Sequence, residues 1–319
     1  MRRTQQYWLK TVAMDILLVG IGLVIFAYFQ HVRPGTMETA QVLVADVQSE
    51  ETELGTETEV ETELVADALT TGIVPSAAQD GTLSYAGEKY TLSITSGRKS
   101  GSWYYVADIR VTDPSVLRTA FAKDKAATGY AESVEDMAVR NNAVFATNGD
   151  YFGMRKKGVV VRNGVLYRKK MSSDTCVLFA DGTMETYTEK TFDEAEVTAK
   201  QPLQAWSFGP SLFDENGNAI NGFSHAVAPK NPRTVIGYYE PGHYCIVCVD
   251  GRGTKKDGQS SSGMTLTELS ALMKELGCAK AYNLDGGQSS VMWFNGEIVS
   301  SPYKGGRRSS DIIYLGKED

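Results

Sequence analysis

The stretch from Tyr244 to Leu284 gives the clearest prediction of the fold. Its sequence is YCIVCVDGRGTKKDGQSSSGMTLTELSALMKELGCAKAYNL. It begins with an apolar run typical of a buried strand and continues through a loop rich in Gly and Ser. Apolar residues then recur at helical spacing after Thr265, whose side chain can cap the helix, until Gly277 ends it. A short apolar run follows, so the stretch predicts a strand, a loop, a helix and a second strand.

A crossover of this length joins two parallel strands of one sheet. Asp250 and Asp285 each follow the last apolar residues of their strand, so we expect both at the same sheet edge. A predicted helix over 133–142 leads into a strand over 143–147, and Asp150 follows that strand in the same way. One Asp beside a Gly usually marks only a turn. Ligands of α/β sheets bind beyond the carboxyl ends of strands, so the three aspartates together predict a site.

The rest of this region alternates strand and helix patterns. Strands are predicted over 90–95 and 103–111, and hairpin turns with Asn-Gly or Asp-Gly fall at 163–164, 181–182 and 295–296. The prediction is therefore an α+β or mixed α/β fold with a mixed β-sheet and a β-loop-α-β crossover. This fold is expected to form a single globular domain over 76–319.

The residues after Asp285 suit an anionic ligand. Gly286 and Gly287 precede Ser289 and Ser290. This order lets successive backbone N–H groups converge on an anion such as phosphate.

Arginines supply positive charge for the same ligand. Arg233 opens a predicted strand, and its planar guanidinium can bind two phosphate oxygens together. Arg307 and Arg308 follow a Gly-Gly pair at the start of another strand. The alternative for each arginine is a surface ion pair. The residues alone indicate an anionic ligand beside carboxylates.

The charge of the chain is unevenly distributed. The 319 residues carry a formal net charge of -7, but 34–88 contain 12 acidic residues and no Lys or Arg. Residues 89–319 contain 28 basic and 26 acidic residues, so this part is nearly neutral. Duplex binding needs a clustered basic surface, so no nucleic acid is expected as a partner.

An apolar stretch over 9–29 predicts a single-pass membrane anchor. Its part from Ile16 to Phe29 is uninterrupted. At about 1.5 Å per residue the whole stretch can cross about 30 Å of hydrocarbon. Basic residues cluster before and at its start, so the positive-inside rule places 1–8 in the cytoplasm and the domain outside the cell. A cleaved signal peptide is the alternative.

Residues 30–75 predict an acidic stalk. They contain ETELGTETEVETEL at 51–64, a Glu-Thr repeat with few large apolar groups. Such a segment buries too little surface to offset its ordering entropy, and its like charges keep it extended. An acidic trap for cations is the alternative. A stalk behind an anchor implies a domain that works away from the bilayer, in the cell wall or capsule layer.

The cysteines and histidines of the chain do not match the patterns of other common active sites. Cys245 and Cys248 are three positions apart in a predicted strand, so they point to opposite faces and cannot share a metal ion without a bulge. The four cysteines are expected to be small buried apolar residues. The chain has three histidines and no G-x-S-x-G motif. This composition does not favour a multi-His metal site or a Ser-His-Asp triad.

Seven ordered motifs resemble those of the phosphodiester glycosidase family. They are NGDYF at 148–152, FGP at 208–210, NPRT at 231–234, VDGR at 249–252, GMTLTEL at 263–269, NLDGGQSS at 283–290 and RRSSD at 307–311. The resemblance covers roughly residues 100–316. It departs from the family pattern at Gln288, where a third Gly is more common, and a side chain there either narrows the site or points to solvent.

The resemblance implies a hydrolase that cleaves a sugar-1-phosphodiester between the anomeric carbon and the phosphate oxygen. The substrate is expected in a cell-surface or exogenous phosphorylated glycan, since bacterial members of the family are often linked to exopolysaccharide. Phosphate leaves as a stable anion, so strong general-acid protonation is less necessary than in ordinary glycosidases.

The implied chemistry assigns roles to the candidate residues. Asp285 is the first candidate for the carboxylate that activates water or attacks the anomeric carbon, with Asp250 or Asp150 as its partner. Arg233 is the candidate cation for the phosphate, with support from Arg307 or Arg252. The other substrate-binding candidates are Asn148, Gly286, Gly287, Ser289 and Ser290.

The alternative function is a non-catalytic module of the same fold that binds a wall polysaccharide or a phosphate polymer. The three aspartates together with Arg233 favour the enzyme. A third interpretation makes the aspartates a Ca²⁺ or Mg²⁺ site, since hard cations prefer carboxylate oxygens, although no EF-hand spacing supports it. Four aromatic residues either stack on sugars or belong to the core: Tyr151, Phe152, Trp206 and Trp293.

Overall fold

The computed structural model describes the following residues: Met14, 16–21, Leu23, Met37, 40–44, 76–77 and 82–318. The described part of the predicted membrane segment is helical. Among the described residues, no helix combines the length and the apolar character needed to cross a bilayer. Residues 1–8, the rest of 9–29 and most of the predicted stalk lie outside the described residues.

Strands dominate the described residues. In chain order they are β1 Gln41–Val42, β2 Ser76–Ala77, β3 Leu83–Ala86, β4 Tyr90–Lys99, β5 Ser102–Val111, β6 Arg118–Phe121, β7 Ala143–Asn148, β8 Val160–Arg162, β9 Val165–Arg168, β10 Thr175–Phe179, β11 Met184–Tyr187, β12 Pro202–Trp206, β13 Arg233–Glu240, β14 His243–Val249, β15 Thr254–Lys256, β16 Gln259–Ser261, β17 Lys280–Asn283, β18 Met292–Phe294, β19 Glu297–Ile298 and β20 Asp311–Gly316. Within 82–318 the α-helices are α1 Val134–Arg140, α2 Glu194–Ala199 and α3 Leu266–Glu275.

The strands form three large sheets and one hairpin. The seven-stranded sheet has the order β17-β13-β14-β5-β4-β3-β2, and the six-stranded sheet β1-β9-β8-β12-β10-β11. The five-stranded sheet has the order β19-β18-β7-β20-β6, and β15 pairs with β16. The predicted hairpins at 163–164, 181–182 and 295–296 are confirmed as β8-β9, β10-β11 and β18-β19.

The crossover predicted from the sequence is confirmed. Thr265 and Glu268 form a capping box at the start of α3, and Gly277, with φ +85°, follows its end. β14 and β17 run parallel, but β13 lies between them and is antiparallel to both. The predicted mixed sheet therefore needs a correction. Every hydrogen-bonded pair of the described strands is antiparallel, because β13 fills the place between the two parallel strands.

The three large sheets share one hydrophobic core, to which β4, β5, β7, β10, β12, β14, β18 and β20 contribute buried residues. On its other face the seven-stranded sheet is covered by α3, whose Leu269 and Met273 share a buried apolar cluster with Val247. Burying a Leu side chain fully stabilises a fold by about 1.5–3 kcal/mol. α1 covers the five-stranded sheet and α2 the six-stranded sheet. The shared core brings the strand ends of different sheets together.

The cysteine prediction is also confirmed. Cys245 packs under α3, whereas Cys248 lies in the shared core on the opposite face of the same strand. All four cysteines are buried free thiols.

The apolar sequence QVLV at 41–44 departs from the solvated stalk predicted for 30–75. Gln41 pairs with Leu166, and the Leu43 N–H donates to the Gly164 carbonyl at 2.7 Å. The segment follows the open edge of β9, where unpaired backbone groups accept another strand.

Candidate active site

The site begins at one edge of the seven-stranded sheet. β14 and β17 end there, and the antiparallel β13 begins there, with Arg233 opposite Val249. Arg233 therefore lies between the strand end that leads to Asp250 and the strand end that leads to Asp285. The predicted shared edge of Asp250 and Asp285 is confirmed.

The five-stranded sheet meets this edge through Asn148. Its side-chain amide donates to the Asp285 carbonyl at 2.7 Å, and its oxygen accepts from Thr234 Oγ1 at 2.9 Å. Asn148 is completely buried and does not line the pocket. Through these hydrogen bonds Asn148 fixes the main chain at Asp285 without lining the pocket itself.

A pocket with a volume of 360 Å³ opens over this edge. Four arginines line it: Arg155, Arg233, Arg252 and Arg307. Asp285 is the one carboxylate among the described residues that line it. The pocket is therefore strongly cationic.

The Asp285 side chain is held by two neighbours. Arg307 Nη2 donates to Asp285 Oδ2 at 2.8 Å, and the same nitrogen donates to Ser289 Oγ at 2.7 Å. Asp285 is only 8% exposed. Burial raises the pKa of Asp285, although Ser289 and Arg307 oppose the shift. A carboxylate with a raised pKa is a stronger base than one in water.

Arg233 is buried without an acidic partner. Its Nε donates to the Met264 carbonyl at 2.9 Å and its Nη2 to the Pro229 carbonyl at 2.5 Å. None of the ion pairs found among the described residues includes it. Burial lowers the pKa of Arg233 to about 10, so the guanidinium is still charged at neutral pH. Such a group is suited to an anion that enters the pocket.

Arg252 and Arg155 complete the cationic wall. Arg252 Nη2 donates to Asn231 Oδ1 at 3.0 Å. Arg155 lies over the Phe208 ring, 4.7 Å from its centroid. Arg155 was not among the residues predicted from the sequence. Its signal was the basic run RKK at 155–157, next to the NGDYF motif.

Tyr151 is the one predicted aromatic that lines the pocket. The Arg307 guanidinium lies 5.1 Å from the centroid of its ring. Phe152, Trp206 and Trp293 are buried, so the structure places them in the protein interior.

Asp250 reaches the expected edge, but its carboxylate is engaged elsewhere. Tyr105 Oη donates to it at 3.1 Å and the Ser301 N–H at 2.9 Å. Burial raises the pKa of Asp250. The side chain is not among those that line the pocket.

Asp150 was predicted at the same sheet edge as Asp250 and Asp285, but this is wrong, because β7 pairs with β18 and β20 in the five-stranded sheet. Its side chain belongs to a buried ionic cluster. Arg162 Nη2 lies 3.1 Å from Asp150 Oδ1 and 2.8 Å from Asp311 Oδ2. Burial raises the pKa of Asp311 to about 8, and the nearby Asp150 and Asp285 charges add to the rise. This role of Asp311 was not predicted from the sequence, although the RRSSD motif ends on it. A side chain at Gly149 would collide with the Asp311 carboxylate.

The predicted convergence of backbone N–H groups after Asp285 is wrong for three of them. The Gly287 N–H donates to the Pro232 carbonyl at 2.9 Å, and those of Ser289 and Ser290 donate within their own turn. These three N–H groups already have acceptors in the protein, so the donors that line the pocket are arginine side chains instead. Gly286 and Gly287 line the pocket, and Gly287, with φ +65°, has the Arg252 guanidinium against it.

Gln288 also lines the pocket, and its amide donates to the Gly306 carbonyl at 3.1 Å. Of the two interpretations of this residue, the structure supports the one in which it narrows the site.

No three His, Cys, Asp or Glu side chains of the described ranges are grouped so as to hold a metal ion.

Comparison with known proteins agrees with this geometry. A family model described as phosphodiester glycosidase matches residues 141–315. The chain belongs to the phosphodiester glycosidase family. The match contains the NGDYF motif, Arg233, Asp285 and the RRSSD motif, which also lie together in the structure.

Two relatives and one solved structure are similar to this chain. The SPbeta prophage-derived uncharacterized protein YomE of Bacillus subtilis (strain 168) is 31% identical over 185 residues, which are 54% of this chain and 28% of that protein. N-acetylglucosamine-1-phosphodiester alpha-N-acetylglucosaminidase of Mus musculus is 28% identical over 219 residues, which are 60% of this chain and 40% of that enzyme. The chain thus spans less than half the length of either relative.

The solved structure is the zebrafish N-acetylglucosamine-1-phosphodiester alpha-N-acetylglucosaminidase catalytic domain, auto-inhibited by its pro-peptide. It superposes with a TM-score of 0.56 and 20% identity over 76% of this chain and 87% of the zebrafish chain. The two proteins therefore share a fold rich in sheet with few helices.

Proposed function

We propose that this phosphodiester glycosidase hydrolyses a sugar-1-phosphodiester between the anomeric carbon and the phosphate oxygen. The observation that carries the proposal is the composition of the pocket, which is lined by four arginines and by Asp285. Arginines bind the phosphate of such a substrate, and a neighbouring carboxylate can act at the anomeric carbon.

Asp285 acts as a base or as a nucleophile. As a base it takes a proton from water, whose oxygen attacks the anomeric carbon. As a nucleophile its own oxygen attacks first, and water later releases the sugar. In both routes the bond from the anomeric carbon to the phosphate oxygen breaks, and its electron pair leaves on the phosphate. The base route inverts the anomeric configuration and the nucleophile route retains it.

The arginines stabilise the departing phosphate. The Met264 and Pro229 carbonyls fix the Arg233 guanidinium before substrate binds, so little reorganisation is needed when charge develops. The product is a stable phosphate anion, so the reaction does not need a strong general acid. In agreement, no second Asp or Glu is among the described residues that line the pocket.

The natural substrate is proposed to be a cell-surface or exogenous phosphorylated glycan. We place the catalytic domain outside the cell and the N-terminus in the cytoplasm, with residues 9–29 as the anchor. The apolar run from Ile16 to Phe29 and the basic residues before it support this placement.

The experiment is to incubate the full chain with a panel of sugar-1-phosphodiesters. We expect free reducing sugar and a phosphate monoester in equal amounts, and NMR of the first-formed sugar distinguishes inversion from retention. Parallel reactions with EDTA and with added Ca²⁺ or Mg²⁺ test metal dependence. Binding without turnover across the panel, under all of these conditions, would instead identify the binding module.

A further inference from the structure

A second groove continues from the active-site pocket. It has a volume of 510 Å³ and shares Arg155 and Phe208 with the pocket. Its other lining residues are Lys156, Lys157, Ser172, Ser173 and His225. No Asp or Glu is among the described residues that line it, so we name it the basic groove.

The fold concentrates lysines beside this groove. The chain carries RKK at 155–157 and again at 168–170. The Gly158 N–H donates to the Lys170 carbonyl at 2.6 Å, and Arg168 Nη1 donates to the Arg155 carbonyl at 2.5 Å. The two basic runs therefore lie side by side. Lys156, Lys157 and Lys170 are exposed on this surface.

The positive charge is a local property of this surface. A third groove, of 590 Å³, is lined by Asp174, Asp214 and Glu215 with Lys280 as its one basic residue. The chain from 89 to 319 is nearly neutral in total. The concentration of lysines next to the active site is therefore not a general feature of the surface.

The position of the groove indicates which part of a substrate enters it. Asp285 lines the pocket but not the basic groove. The anomeric carbon reacts beside Asp285, so it lies in the pocket, and Arg155 lies between it and the basic groove. Arg155 is one of the four arginines that line the pocket and are proposed to bind the phosphate. The phosphate joins the sugar to the leaving group. A substrate that extends past Arg155 into the basic groove therefore does so through its leaving group.

We propose that the leaving group of the substrate carries a second anionic group, a phosphate or a carboxylate, that binds in the basic groove. This inference rests on the proposed hydrolysis of a sugar-1-phosphodiester. Lys156 and Lys157 attract the second anion, and the Phe208 ring packs against the linker between the two charges.

The test compares three substrates with the same sugar and the same scissile phosphate. Their leaving groups end in glycerol, in glycerol phosphate or in glycerate. At low salt we expect kcat/KM about 2- to 30-fold higher for the preferred anionic substrate than for the neutral one, from two exposed charge contacts. The difference should shrink with added NaCl. The two anionic substrates separate phosphate from carboxylate recognition.

A matched pair of variants locates the effect. Lys156→Gln/Lys157→Gln should remove the preference and leave kcat/KM for the neutral substrate unchanged. Lys89→Gln/Lys317→Gln removes the same charge from exposed positions that do not line the groove and should keep the preference. Binding of a fluorescent oligo(glycerol phosphate) without a sugar gives a readout that does not need turnover, and it should weaken only in the first variant.

The outcomes separate the two proposals. If no substrate of the panel is turned over, the proposed function fails. If substrates are turned over with equal kcat/KM for neutral and anionic leaving groups, the basic groove does not bind the leaving group. Oligomer binding that is equal in both double variants also overturns the inference.

Discussion

Arg307 Nη2 lies 2.8 Å from Asp285 Oδ2 at the floor of the pocket. The same guanidinium lines the pocket and donates to Ser289 Oγ, so its orientation is fixed from two sides. It can contact the carboxylate and a bound phosphate at once. This geometry couples the group proposed to act at the anomeric carbon to the group proposed to stabilise the leaving phosphate.

Asp285→Asn should abolish most of the activity while the fold persists. The amide has nearly the same size but cannot accept a proton from water or attack the anomeric carbon. We expect kcat to fall about 10²- to 10⁴-fold for loss of a general base. Release of reducing sugar measures the effect, with Asp257→Asn in an exposed turn as the matched control. Unchanged turnover in a folded Asp285→Asn protein would remove this residue from the mechanism.

Arg233→Lys should raise KM and lower kcat together. A lysine keeps the charge but cannot donate to both the Met264 and Pro229 carbonyls and bind phosphate through two parallel hydrogen bonds. Steady-state kinetics measure both constants. Arg98→Lys, at an exposed arginine outside the pocket, is the control. Kinetic constants equal to those of the wild type would contradict a phosphate role for Arg233.

Asp311→Asn should change how stability depends on pH. The pKa of Asp311 is raised to about 8 in the folded chain by burial, whereas an unfolded Asp titrates near about 3.9. Between these values the folded chain keeps a proton that the unfolded chain has lost. The Asp311 contribution to the free energy of unfolding therefore decreases as pH rises from about 4 to about 8. Urea unfolding of both proteins should show the wild type losing stability relative to the variant over this range. A difference that rises with pH would have the wrong sign.

Asn148→Ala should lower kcat more than it changes KM. The variant loses the hydrogen bonds to the Asp285 carbonyl and to Thr234, which position the carboxylate but do not contact the substrate. Leaving buried partners unsatisfied costs about 1–3 kcal/mol each, so thermal stability should also fall. Asn141→Ala, at the end of α1, is the control. An increase in KM alone would indicate direct substrate binding by Asn148.

The anchor predicted over 9–29 leads to a fractionation experiment. The intact chain should stay with the membranes after washing with high salt, because apolar insertion is not reversed by salt. External protease should then release the catalytic domain through the stalk. A mature protein that begins after residue 30 would show that a signal peptide had been removed.

Local signals made much of the fold predictable. The capping box at Thr265, the terminating Gly277 and the Asn-Gly and Asp-Gly turns each act over a few residues, so sequence spacing was enough to identify them. The insertion of β13 between β14 and β17 depends on pairing between distant segments. Neither composition nor periodicity specifies such a partner.

The same distinction applies to the site. Arg233 and Asp285 could be found because each follows or begins a recognisable strand. Asp250 also follows a strand, but Tyr105 and Ser301, which are distant in sequence, determine where its carboxylate points. The pairing of Arg162 with Asp150 and Asp311 likewise joins three separate strand ends. Side-chain direction at the end of a strand is a tertiary property.

The proposed binding of a phosphodiester by the buried Arg233 guanidinium would link the persistence of the protein to its substrate. A ligand that binds only the folded chain stabilises it by about 2.7 kcal/mol at a hundredfold excess over Kd. Proteolysis of transiently opened molecules follows the population of the open form. Under the proposed function, a protein surrounded by its phosphorylated substrate should therefore survive proteases longer than one that has exhausted it, so the supply of substrate would set the working lifetime of the protein.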